Sequence, residues 1–428
     1  MRVRITPSPL RGEVSAPPSK SYTHRAVILA SLAAGESVIE EPLLADDTRY
    51  TINACRSLGA DIQHEGNKLM VSGSGGKISA AEGQRIFAGN SGSTIRMIAP
   101  VAALSQSRVV LDGDSRLRQR PMGDLLSALG GLGIHARSLG NNGYPPLEIK
   151  GGNFSGGEVT LGGEVSSQHI SALLMVAPCT KEGIKIKIAG GLRSRPYIDI
   201  TLDAMQAFGV EAVNKDYKQF LVKGGQEYKA RQYRIEGDYS SAAYFFAAGA
   251  IGGQPLTVAN LKNSSVQGDK HLLNILSEMG CSLEYQKEAV TLSRHRELKG
   301  VSLDMSDYPD LVPTVAVIAA YAHGKTEMSN IGRLRFKESD RLATTAAELS
   351  KMGIKSGVSD DSLVVYGGKP RGAETSAHND HRLAMSLAVA ALFAEGDSII
   401  NGAEAVTKSY PRFFADLASL KAKLEELS

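Results

Sequence analysis

The 428-residue sequence predicts an α/β (α+β) protein of two similar domains, each of three βαβαββ units, a six-fold internal repeat. Two recurrences carry that reading. An amphipathic stretch closing on an apolar residue, a glycine and a strand-like tail occurs at Gly59, Gly133, Gly209, Gly280 and Gly353, every 71–76 residues. In phase with it, Ser21, Ser93, Ser167, Ser241, Asp310 and Asp380 each open an Ala-rich apolar segment, at intervals of 69–74 residues. Self-similarity at a fixed period marks a repeated supersecondary unit.

Each unit then carries two kinds of helix. Leu342, Ala346, Leu349 and Met352 fall on one helical face, as do Phe413, Leu417, Leu420, Leu424 and Leu427, so these helices lie on a sheet with one side in water. The second of these predicts a sixth amphipathic helix over 413–427. In contrast, the segments 170–178, 242–251 and 382–394 are apolar nearly all round and belong at a domain centre. Between the helices lie short β-rich runs such as 108–112, 185–190 and 363–367. Six such units exceed one core, so two domains follow. The third unit ends near 234–238, and the strand before Pro17-Pro18-Ser19 pairs naturally with the C-terminal half. The expected domains are 1–19 with 237–428, and 20–236.

Composition narrows the function classes. Hydrophobic and charged contents of 42% and 22% are those of an ordinary globular protein, and a net charge of +3 gives no case for nucleic acid. Cys55, Cys179 and Cys281 are widely spaced and odd in number, which argues against a disulfide framework. The N-terminus carries no secretion signal and no apolar run is long enough for a bilayer, so a cytoplasmic protein is expected.

The chemistry gathers at the helix starts. In order come Lys20, Ser21 and Arg25; Asn90 to Ser93 and Arg96; Arg116, Arg118 and Arg120; Ser166, Ser167 and Gln168; Ser194, Arg195 and Tyr197; Asp310; Lys337, Glu338, Asp340 and Arg341; Asp380, His381 and Arg382; and Lys408. Taken singly, the Ser and Asp residues are caps. Cations, however, are disfavoured by the positive end of a helix. Their repetition there points to anionic ligands, which that end attracts. Within this cationic set Asp310 and Glu338 stay ionised and can accept protons.

Other motifs fail on context. In GSGGKI (73–78), Ile78 stands where a phosphate loop needs Ser or Thr, and the G-x-G-x-x-A run at 131–136 follows a helix rather than preceding one. His378 and His381 with Asp380 lack further ligands for a metal. Ser21 and Ser167 read as phosphate ligands rather than nucleophiles.

Nine segments, in order along the whole chain, resemble the 5-enolpyruvylshikimate-3-phosphate synthase family: 17–26, 87–96, 118–123, 164–168, 194–201, 308–310, 335–343, 378–386 and 407–411. The resemblance implies two domains joined by a double-crossover hinge, with the active site in the cleft and domain closure on substrate. It implies transfer of the enolpyruvyl group of phosphoenolpyruvate to the 5-hydroxyl of shikimate 3-phosphate through a tetrahedral ketal, without metal or organic cofactor; a monomer is the default expectation, since one chain supplies every site residue. Lys20, Ser21, Arg25, Ser166, Ser167, Gln168, Ser194, Tyr197, Asp310 and Lys337 would bind shikimate 3-phosphate. Lys20, Gly92, Arg120, Gln168, Arg341, Arg382 and Lys408 would bind phosphoenolpyruvate. Asp310 would deprotonate the 5-hydroxyl, while Glu338 with Lys20 or Lys408 would handle the methylene proton. Arg333 replaces an Asn of some members, and Met97 replaces the Pro of herbicide-sensitive ones, whereas Gly92 keeps the room that glyphosate uses. Two rivals remain. The sister enzymes acting on UDP-N-acetylglucosamine use a Cys in a loop that here, at 112–123, has none. A non-catalytic module for phosphorylated ligands or RNA would gain nothing from acids among its cations.

Overall fold

The computed structural model describes every residue except Asn153, Val165 and Ser428. The chain divides into two compact units, Lys20–Ile235 and Met1–Ser19 with Glu236–Ser428. Among the described residues there are twelve α-helices and six four-stranded sheets. The first unit carries α1 (Lys20–Leu32), α2 (Asp46–Ser57), α3 (Gly92–Ala102), α4 (Gly123–Gly131), α5 (Ser167–Val176) and α6 (Pro196–Ala207). The second carries α7 (Tyr239–Gly252), α8 (Leu272–Glu278), α9 (Val312–Ala320), α10 (Arg341–Lys351), α11 (His381–Ala391) and α12 (Phe413–Ser419).

The two helix types separate as their sequences require. The helices α9 and α11 are buried at every position, and α3 and α5 at all but one. The helix α10, by contrast, buries Arg341, Leu342, Thr345, Glu348 and Leu349 along one side. Each unit therefore has its own apolar core around three almost wholly buried helices, α1, α3 and α5 in one and α7, α9 and α11 in the other, with amphipathic helices and sheets outside. Each sheet has one pattern: the strand 157–162 lies parallel to 184–189, which pairs antiparallel with 219–222, and that with 212–215. No described helix is long and apolar enough to cross a membrane. All three cysteines are free, with Cys55 and Cys281 buried.

The repeats do not close in chain order. Strand 232–234, last in its unit, lies beside 34–40 and completes the sheet of the first repeat. Likewise strand 2–6 pairs with 423–427 and 398–401, and strand 12–15 pairs with 256–259. A strand taken from the far end ties the first and last repeats of each unit together.

The glycines of the repeat follow the helix C-caps in the left-handed region, with φ between 81° and 111° at Gly59, Gly133, Gly209, Gly280 and Gly353. Glycine adopts that conformation without Cβ strain. The expected helix over 413–427 is corrected here. The helix α12 stops at Ser419, and residues 423–427 are a strand against 2–6. Lys421 takes the glycine's place with φ 74°, and pairing to the open edge of strand 2–6 outweighs a helical spacing of leucines.

Candidate active site

The buried helices carry no acidic residue in the first turn, while Lys20 opens α1 and Arg382 is the second residue of α11. In the unit Lys20–Ile235, the Lys20 ammonium lies 3.1 Å from the carboxylate of Asp47, at the start of α2. Arg25, 2% exposed, donates to Thr201 Oγ1 (2.7 Å), Tyr197 O (2.8 Å) and Ser21 O (2.9 Å), tying α1 to α6. Burial without an opposing carboxylate lowers its pKa to about 10.

Ser166 caps α5, its hydroxyl accepting from the Gln168 N–H. The Gln168 amide then bridges two helices, donating to Ser93 Oγ (2.9 Å) and accepting from Arg96 Nη1 (2.9 Å). Ser167 is buried at the first position of the same helix, and Ser194 is held with φ 57° just before α6, whose second residue is Tyr197. Val165, in the 164–168 segment, lies outside the described residues. At Gly92 a Cβ would stand 2.6 Å from Arg120 Cζ, so the guanidinium packs directly on the glycine backbone and a side chain there would push it aside.

The second unit gathers opposite charges. Arg341, 1% exposed, donates to Asp380 Oδ2 (2.7 Å), Asp310 Oδ1 (2.9 Å) and Glu338 Oε2 (2.6 Å). Arg382 donates to Asp310 Oδ2 at 2.8 Å, and Lys337 lies 3.5 Å from Asp310 Oδ1. Lys408 lies 3.5 Å from Glu338 Oε1. Burial alone would push the Asp310 carboxyl up, but Arg382, Lys337 and Arg341 together hold it well below the usual range. Burial would likewise weaken the Arg341 guanidinium as an acid-free cation, yet Asp380, Glu338 and Asp310 raise it above its ordinary value.

Two members were not singled out from sequence as ligand-site residues. Asp380 reads as a cap, which it is for α11, but its carboxylate also takes Arg341 and Ser339. Asp47 sits in a helix-opening Asp-Asp pair that announces nothing beyond capping. His378 and His381 do not converge: His378 Nε2 lies 2.6 Å from Glu348 Oε1 on α10, and His381 is buried in α11. GSGGKI begins in the last two residues of strand 68–74 and opens no helix.

The arrangement offers cationic and hydroxyl groups for anions in one unit, and acids locked among cations in the other. Comparison with known proteins gives a consistent picture. The family model for EPSP synthase (3-phosphoshikimate 1-carboxyvinyltransferase) matches residues 5–417. A 3-phosphoshikimate 1-carboxyvinyltransferase of Methanocaldococcus jannaschii is 44% identical over 97% of each chain, and one of Methanosarcina mazei is 44% identical over 100% of this chain and 99% of its own. A solved structure of EPSP synthase from Acinetobacter baumannii superposes with a TM-score of 0.82 at 26% identity, covering 99% of this chain and all of the other.

Proposed function

The chain belongs to the EPSP synthase family, and from that premise we propose which residues perform the family's reaction and how. It is a 3-phosphoshikimate 1-carboxyvinyltransferase of the shikimate pathway, moving enolpyruvyl from phosphoenolpyruvate to shikimate 3-phosphate. The observation that carries our assignment is the lock on Asp310 by Arg341, Arg382 and Lys337, with Glu338 and Lys408 alongside.

Both substrates are polyanions, each phosphate carrying roughly −1.5 to −2 near neutral pH. Lys20, Ser21, Arg25, Ser166, Ser167, Gln168, Ser194, Tyr197 and Lys337 are assigned to shikimate 3-phosphate. Gly92, Arg120, Arg382 and Lys408 are assigned to phosphoenolpyruvate, shared with Lys20 and Gln168; Arg341 joins them by exchanging one of its carboxylate bonds. Asp310 in its locked form is a weak base. Substrate anions competing for Arg382 and Lys337 loosen that hold and raise its basicity when the 5-hydroxyl is in place. Asp310 then takes the hydroxyl proton as O5 bonds to C2 of phosphoenolpyruvate, and C3 is protonated from the Glu338–Lys408 pair or Lys20. In the second half, C3 returns that proton, the double bond reforms and phosphate leaves. Expulsion of phosphate from the tetrahedral adduct requires exclusion of water. The proposed closure on substrate predicts that saturating shikimate 3-phosphate lowers the radius of gyration; an unchanged scattering curve would count against this.

A cytoplasmic monomer fits a site whose residues are all supplied by one chain. The test of the acceptor is phosphate release from phosphoenolpyruvate, without added metal, with shikimate 3-phosphate or UDP-N-acetylglucosamine. Release with the former alone is expected, and release only with the latter would reverse the assignment.

A further inference from the structure

One buried acid lies outside every role above. Asp269 sits on the short 3-10 turn 268–271, between strand 256–259 and α8, and is 4% exposed. Ser240, in the first turn of α7, donates its hydroxyl to Asp269 Oδ2, while Oδ1 has no hydrogen-bond partner among the described residues. The same turn braces the catalytic segment, because His271 stacks on Tyr308 with ring centroids 4.3 Å apart, two residues before Asp310. The charged groups bearing on Asp269 come from three neighbouring elements: Asp238 at the cap of α7, Asp310 on the turn before α9, and Arg382 on α11. Lys270 and His271 are its neighbours on its own turn, where Lys270 is turned to the Asn263 carbonyl.

Arg382 therefore serves two acids. It donates directly to Asp310 and supplies the attractive field at Asp269. When an anion engages Arg382, both carboxylates lose part of that compensation and meet a new negative charge. Asp310 still has its bond from Arg341. Asp269 has one hydroxyl. A buried carboxylate so exposed to repulsion is costly, and taking up a proton is the cheapest relief.

We propose that Asp269 is a positioning residue that acts through Arg382, taking a proton from solvent onto its unpartnered Oδ1 when phosphoenolpyruvate loads. The proton keeps the Asp238–Asp269–Asp310 group from carrying full negative charge beside the bound anion, and it leaves Asp310 as the acceptor for the substrate hydroxyl. This rests on the assignment of Arg382 to phosphoenolpyruvate. Burial, with Asp310 and Asp238 adding to it against Arg382 and Ser240, already raises Asp269 to about 6, so the free enzyme has the acid poised near the working range.

The experiment is the KM for phosphoenolpyruvate from pH 5.5 to 8, in the wild type, Asp269→Asn, Asp269→Glu and Ser240→Ala. The ligand's own ionisation is common to all, so the readout is the ratio of wild-type to variant KM. For Asp269→Asn the ratio is expected to rise roughly three- to tenfold as the pH passes above about 6, with Asp269→Glu restoring the wild-type slope. Ser240→Ala removes a bond that favours the ionised form and should move the break to higher pH. A ratio constant with pH would overturn the proposal even if KM is higher throughout, since a structural defect acts at every pH. An unmoved break in Ser240→Ala would overturn it too. Arg382→Lys leaves Asp269 untouched and tests the underlying assignment by itself: an unchanged KM there would overturn that assignment and the proposal with it.

Discussion

The two units are built on one plan and hold their cations differently. In the first, Arg25 and Arg96 donate to carbonyls, a hydroxyl and an amide, and Lys20 faces Asp47. In the second, Arg341 and Arg382 donate to the carboxylates of Asp310, Glu338 and Asp380, with Lys337 and Lys408 beside them. Cations held by neutral groups keep their charge available to an anion. Cations neutralised by acids hold those acids ionised until a ligand competes for them. On the proposed assignment, the first unit supplies anion-binding cations and hydroxyls, while the second supplies the acid–base pair together with further anion-binding cations.

That division is broken most severely at Asp310. Asp310→Asn should lower kcat by about 10²–10⁴-fold, with KM values for both substrates within a few-fold of wild type, as steady-state kinetics would read directly. Arg341→Met should follow, because it leaves the buried Glu338 and Asp380 and the partly buried Asp310 each short of a partner; a loss of about 3–5 kcal/mol in urea unfolding is expected, and a fully stable variant would contradict the charge-balance account. On the binding side, Gly92→Ala places a methyl against the Arg120 guanidinium. It should raise the KM for phosphoenolpyruvate about tenfold or more while kcat changes less, given a displaced charge-assisted contact.

The smallest effect sharpens the contrast within the first unit. His169, on α5 beside Gln168, is 3% exposed with neither ring nitrogen hydrogen-bonded among the described residues. Burial, with Arg96 adding to it, holds its pKa well below 6.5. The unfolded chain therefore binds a proton near pH 6.5 that the folded protein refuses. Stability on this account is full above pH 6.5 and falls below it, by at most about 1.4 kcal/mol per pH unit. His169→Phe should flatten that acid limb in urea titrations at pH 5 and 7.5 while the alkaline values stay close.

Much of this was legible in sequence because the repeat has both a backbone signal and a chemical one. The glycines mark left-handed C-caps, and the Ser or Asp series marks the buried helix starts. Both are local properties that survive without knowledge of contacts. The sixth repeat was misread for the same reason, since Lys421 occupies the left-handed position without announcing it. The N-terminal strand's pairing with the C-terminal half was expected, but the return of strand 232–234 to 34–40 was invisible, because it is a long-range choice that three residues cannot encode. Asp47 and Asp380 were hidden by doing ordinary work at helix starts while also anchoring cations.

The most direct test of the division between binding and chemistry is the equilibrium affinity of Asp310→Asn for shikimate 3-phosphate, set against that of Ser167→Ala. The account predicts near-wild-type affinity with almost no turnover in the first, and weakened affinity with residual turnover in the second. If Asp310→Asn instead loses affinity by as large a factor as it loses rate, Asp310 is chiefly a ligand-holding group, and the proposed separation of roles between the units is wrong.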